Sequence, residues 1–168
     1  MKIKRKIGLI SCSGEGLPEG MISRAATRRI LEERDDVVTI CLPLFLAGGQ
    51  EERDFAKENP CITVDGCDKM CAAKGVQMYG KVHPKSSIVI SDIAEKHKHL
   101  KPKSKSRIKP QDEKLVKETM KRITEEIDKA EKEEDKLWEE WRRLVNKECP
   151  PPEPKKPLKP DYYEKENK

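Results

Sequence analysis

Cysteine is the residue in this sequence best equipped for chemistry, and it occurs at Cys12, Cys41, Cys61, Cys67, Cys71 and Cys149. A thiolate is a nucleophile, a redox centre or a soft metal ligand, and in a reducing compartment metal binding or catalysis comes before disulfides. Four thiolates suit tetrahedral zinc, with Zn–S bonds of about 2.3 Å, and the same set can hold an iron–sulfur cluster. Only Cys67 and Cys71 form a close pair. Spacing alone therefore leaves open whether these are ligands or buried cysteines of a core.

The elements that position them are legible from hydrophobic pattern. Residues 6–12 are a short apolar run closing in a glycine turn, and 21–34 carry Ile22, Ala25, Ala26 and Ile30 at helical spacing. Residues 37–42 read as a second strand, with a Gly48-Gly49 break and a polar helix near 51–57. Residues 61–65 read as a third strand with a helix over about 68–78, and 87–91 as a fourth strand. This alternation predicts an α/β domain: a small parallel sheet of about four strands with helices on both faces, flavodoxin- or Rossmann-like.

In a parallel sheet the strands end along one edge, where Cys12, Cys41 and Cys67 fall, and Cys71 lies one helical turn beyond Cys67. Cys61 begins the strand that Cys67 follows. Six residues at about 3.3 Å each place it roughly 20 Å from that edge, so a buried role is expected for it.

The segments Ile10 to Gly14, Cys41 to Gly49, Thr63 to Gly75 and Lys85 to Asp92 resemble the DGC-domain family of zinc-binding proteins, whose name comes from the Asp-Gly-Cys at Asp65, Gly66 and Cys67. The resemblance covers about residues 5–95. It implies that Cys12, Cys41, Cys67 and Cys71 form the metal-binding set, with zinc as the metal, and it says nothing of the chain after residue 100.

The remainder is polar. With 40% charged and 4% aromatic residues the chain cannot bury all of itself, and its apolar content concentrates before about residue 95. The expected organisation is a domain over 1–100, a basic linker over 101–110, a long amphipathic helix over 111–148 and a Pro/Lys-rich tail over 149–168. Along that helix Val116, Met120, Ile123, Ile127, Ala130, Leu137, Trp141 and Leu144 keep a heptad seam, interrupted by Glu134. The seam over 111–147 predicts contact with another surface, whether a second copy of the chain, a different protein or the helix's own α/β domain, with docking by Leu137 to Val145 favoured over a uniform coiled coil.

Several other chemistries fail on the residues. The run Gly14 to Gly20 misplaces the third glycine of a dinucleotide turn, and no ribose-binding acid ends the second strand. A cysteine phosphatase loop needs an arginine where Pro18 stands. Basic residues in 101–109 lack interleaved aromatics, so nucleic acid is not the expected partner. His83, His97 and His99 sit in polar surroundings and read as solvated. Asp65 either orients a ligand cysteine or makes the turn out of its strand.

No stretch is long and apolar enough for a membrane span, and the opening residues lack a secretory pattern, so a cytoplasmic protein is expected. Two functions remain open from sequence. One is a zinc-binding accessory module of a larger assembly. The other is a cysteine-based redox, sulfur-transfer or methyl-transfer enzyme or carrier, with Cys12 as nucleophile, or an iron–sulfur protein using the same four cysteines.

Overall fold

Alternation along the strands decides which helices cover which face of the sheet. The computed structural model describes residues 6–12, 14–97 and 100–148. Its strands are β1 (Ile7–Ser11), β2 (Val37–Thr39), β3 (Cys61–Asp65) and β4 (Ser86–Val89), all parallel, in the order β2-β1-β3-β4. Helices α1 (Pro18–Glu33), α2 (Leu42–Ala47), α3 (Gln50–Glu58), α4 (Cys71–Gly75), α5 (Ile90–Lys96) and α6 (Glu113–Glu148) lie between and after them. The expected α/β architecture, with a long C-terminal helix, is what the chain adopts.

Side chains alternate across a strand, so Ile7 and Leu9 of β1, with Ile62 and Val64 of β3, share one face. They form a core with Ile22, Ala26 and Ile30 of α1, Ile90 and Ala94 of α5, and Leu115, Val116, Ile123, Ile127 and Ala130 of α6. On the opposite face Ile10 and Cys61 pack with Ile40, Leu42 and Phe45, Ala56 of α3, and Ala72 of α4. Two apolar layers thus sandwich the sheet, as a parallel sheet requires.

Three local departures have simple causes. The second strand stops at Thr39, because Pro43 favours the first turn of a helix and Leu42–Ala47 coil into α2, capped by Gly48 at φ 107°. The helix expected over 68–78 begins only at Cys71, after Met70 in the left-handed region at φ 51°, and continues as a π-helical turn over Val76–Gly80. Cys71 is therefore the first residue of its helix and not one turn into it. The fourth strand ends at Val89, and Ile90 and Ser91 already belong to α5.

The largest difference concerns the chain after residue 100. Leu100 is buried and Ile108 packs on the core, so the basic segment lies along the domain where a solvated linker was expected. The compact unit continues to Lys132, taking in the first half of α6. Bidentate contacts fasten that half. Arg29 donates to both carboxylate oxygens of Glu113 at 2.6 and 2.9 Å, and Arg34 donates to Asp36 and to Asp128 at 2.8 Å. The second unit begins at Glu133. Within it Leu137, Trp138, Trp141 and Leu144 are exposed, and the two indole rings stack with centroids 4.9 Å apart. The expected tail over 149–168, with Cys149, lies outside the described residues.

Candidate functional site

Open parallel sheets bind ligands outside the carboxyl ends of their strands, at the point where chain connections leave in opposite directions. In the order β2-β1-β3-β4 that point lies between β1 and β3. Cys12 directly follows β1, and Cys67 stands two residues beyond β3. Cys41 is the residue before α2 and Cys71 the first of α4. All four belong to loops or helix starts that follow β1, β2 or β3.

Cys12 is tied to the neighbouring strand by backbone and side chain. Its N–H donates to the Val64 carbonyl at 3.0 Å, and its sulfur accepts the Gly66 N–H at 3.3 Å. The thiol lies 3.9 Å from the Ser23 hydroxyl, which itself donates to the Val64 carbonyl at 2.6 Å. Partial burial pushes the Cys12 thiol above its ordinary value, and the Gly66 N–H and the Ser23 contact oppose that rise by favouring the thiolate.

Glycine is needed where this loop meets α1. A Cβ on Gly66 would lie 2.6 Å from the Gly20 nitrogen, and one on Gly20 would lie 2.5 Å from the Gly14 Cα. The close approach of these three backbones brings the Gly66 N–H to Cys12. Gly14 and Gly20 thus make a packing contact with Gly66.

Asp65 answers the question that the sequence left open. Its buried carboxylate accepts the N–H groups of Ala72 at 2.7 Å and Ala73 at 3.1 Å, the two residues after Cys71. It therefore fixes the start of α4, and with it the backbone position of Cys71. Desolvation raises its pKa, against the two N–H donors that favour the carboxylate.

Cys61 behaves as the expected control. It is buried, at the opposite end of β3, and burial pushes its thiol up to about 12. Cys41 and Cys71 are exposed, while Cys12 and Cys67 are half-buried. His83 is exposed and His97 half-buried; His99 lies outside the described residues.

Among the described residues no group of three or more His, Cys, Asp or Glu side chains is gathered closely enough to hold a metal ion. What the chain does assemble is a linked edge. Cys12 and Cys41 line one cavity, Cys12 is bonded to the residue before Cys67, and Asp65 pins the residues after Cys71.

The sequence model of the DGC domain matches residues 8–131. The chain belongs to the DGC-domain family. No curated protein and no solved structure matches it. The DGC match extends well past residue 95, where the resemblance read from the sequence stopped. It ends within one residue of the compact unit at Lys132, so the buried half of α6 belongs to the DGC domain. Each letter of its motif has a physical task in this chain. The aspartate holds the start of α4, the glycine admits close packing and donates to Cys12, and the cysteine follows at the edge.

Sequence reasoning missed the polar residues of α1 that border this edge. Ser23 and Thr27 are one helical turn apart, as are Arg24 and Arg28. That pair of i, i+4 stripes beside the apolar positions was available as a signal. What it faced was not.

Proposed function

We propose that Cys12, Cys41, Cys67 and Cys71 bind zinc and that the DGC domain serves as a metal-binding module of a larger assembly. The observation that carries this reading is the segregation of the described cysteines: four follow the carboxyl ends of strands, and Cys61, at the other end of β3, is sealed in the core. The donor set fits zinc, because four thiols with no competing carboxylate among them match its preference for soft tetrahedral ligation. Bound there, zinc supplies structural cross-linking, and Lewis acidity if one coordination position stays open.

The protein's own contribution is to prepare the sulfurs. The Gly66 N–H favours the Cys12 thiolate, and Asp65 holds the chain at Cys71. Among the described residues no three ligands are gathered, so holding one ion would require the four sulfurs to come closer together. A reducing, cytoplasmic setting keeps these thiols available. The exposed seam from Leu137 to Leu144 is the surface by which the module docks onto a protein partner.

A second reading is a cysteine-based carrier or transfer enzyme. It is favoured by the cavity against Cys12 and Cys41, which gives a small molecule access to two sulfurs.

Elemental analysis of the protein purified without chelator separates these readings. About one zinc per chain is expected. Cys67→Ser and Cys71→Ser should each lose most of it, while Cys61→Ser should keep it. Equal loss in all three variants would defeat the assignment of ligands, and a brown protein containing iron and sulfide would replace zinc with a cluster.

A further inference from the structure

Helix α1 turns a polar stripe toward the cysteine edge, and the cavity there has a volume of about 330 Å³. Cys12 and Cys41 form part of its lining, and from α1 so do Arg24, Thr27 and Arg28. Thr27 is 1% exposed, and its hydroxyl finds no hydrogen-bond partner. A buried hydroxyl that the protein itself leaves without a partner is destabilising unless something else bonds it. Arg24 and Arg28, one helical turn apart, make a positive wall beside that hydroxyl, and a guanidinium's five N–H groups can serve more than one partner.

One carboxylate borders the same cavity. Glu15 lies 4.0 Å from Arg24, with its side chain 85% exposed. In that exposed position its charge is well screened.

We propose that this cavity binds a small ligand through an oxyanion, a phosphate or carboxylate group, taken by Arg24, Arg28 and the Thr27 hydroxyl. The rest of the ligand then faces the sulfurs of Cys12 and Cys41. The size suits a compact metabolite, since small-molecule sites begin at about 300 Å³. The inference shares two cysteines with the metal reading but does not depend on it, because anion binding and metal content are separate measurements.

The test is a titration of the full chain, as purified, with inorganic phosphate and in parallel with succinate. Backbone amide shifts are followed at constant ionic strength held with chloride. Saturable shifts are expected at the amides of Cys12, Thr27, Arg28 and Cys41, and the tighter of the two anions identifies the group preferred. Arg28→Gln and Thr27→Val should each weaken binding at least 5-fold, Thr27→Ser should restore it, and Glu15→Gln should tighten it. Thr27→Val should also melt no lower than the wild type, since it removes a donor that the free protein leaves unsatisfied. That combination distinguishes a binding role from a structural one. Zinc measured on the same samples should not change. Shifts that follow ionic strength alone, or affinities unchanged by both Arg28→Gln and Thr27→Val, would overturn the proposal.

Discussion

The two halves of α6 carry the same heptad pattern and meet opposite fates. Leu115, Val116, Ile123, Ile127 and Ala130 are at most 1% exposed, whereas Leu137, Trp141 and Leu144 are each more than half exposed. The changeover falls just before Glu134, the charged residue in the seam. Ala130 is the last buried position and Lys132 the last residue of the compact unit. The comparison teaches that a seam specifies a sticky face and not its partner. In the first half that partner is the core of the helix's own α/β domain, whereas in the second half the face is exposed.

Single truncations should separate the halves most sharply. Ile127→Ala should cost about 2–4 kcal/mol in urea denaturation, because it empties a sealed site beside the sheet. Leu144→Ala should change stability by no more than about 0.5 kcal/mol. Equal costs would mean that the second half is buried after all.

The ion pairs that fasten the first half provide a sharper, pH-dependent version. Asp36 accepts hydrogen bonds from Arg34 at 2.6 and 2.9 Å, and that contact holds its carboxyl well below the usual carboxylate range. A carboxylate with a depressed folded pKa contributes stability that is complete above its unfolded value of about 3.9 and is lost as pH falls toward the folded value. Arg34→Ala should therefore cost about 1–2 kcal/mol at pH 7, and the gap to the wild type should narrow steadily below pH ~4. A gap that stays constant between pH 7 and pH 3 would show that Arg34 acts by packing.

Removing the second half should have the smallest effect. A chain ending at Lys132 should melt within about 2–3 °C of the full protein and keep the same zinc content. Both tryptophans of the sequence lie in the removed part, so their emission reports on that half alone. In the full chain a blue shift on adding a protein partner would mark docking at Trp138 and Trp141.

The cysteines repeat the lesson on a smaller scale. Strand pattern alone separated Cys61 from Cys12, Cys41 and Cys67, because a parallel sheet puts strand ends on one edge and six extended residues span its width. The start of α4 differs from the expected one, since Met70 is left-handed and the Asp65 carboxylate accepts the N–H groups of Ala72 and Ala73, seven and eight residues on. No local propensity encodes those bonds.

What the sequence determined by itself is periodic and local: the alternation that makes four parallel strands, the helical spacing of α1 and α6, and the cysteines that follow strands. These follow from the pitch of each element, and each element carries its own pitch. The tertiary structure alone decided what each face met. It put Leu115 to Ala130 of α6 into one core with β1, β3 and α1, laid Leu100 and Ile108 on the core, and closed Gly14, Gly20 and Gly66 into one contact. It also set Thr27, Arg24 and Arg28 beside Cys12 and Cys41. These contacts join residues far apart in sequence, so they depend on the complementarity of surfaces that exist only once the chain has folded.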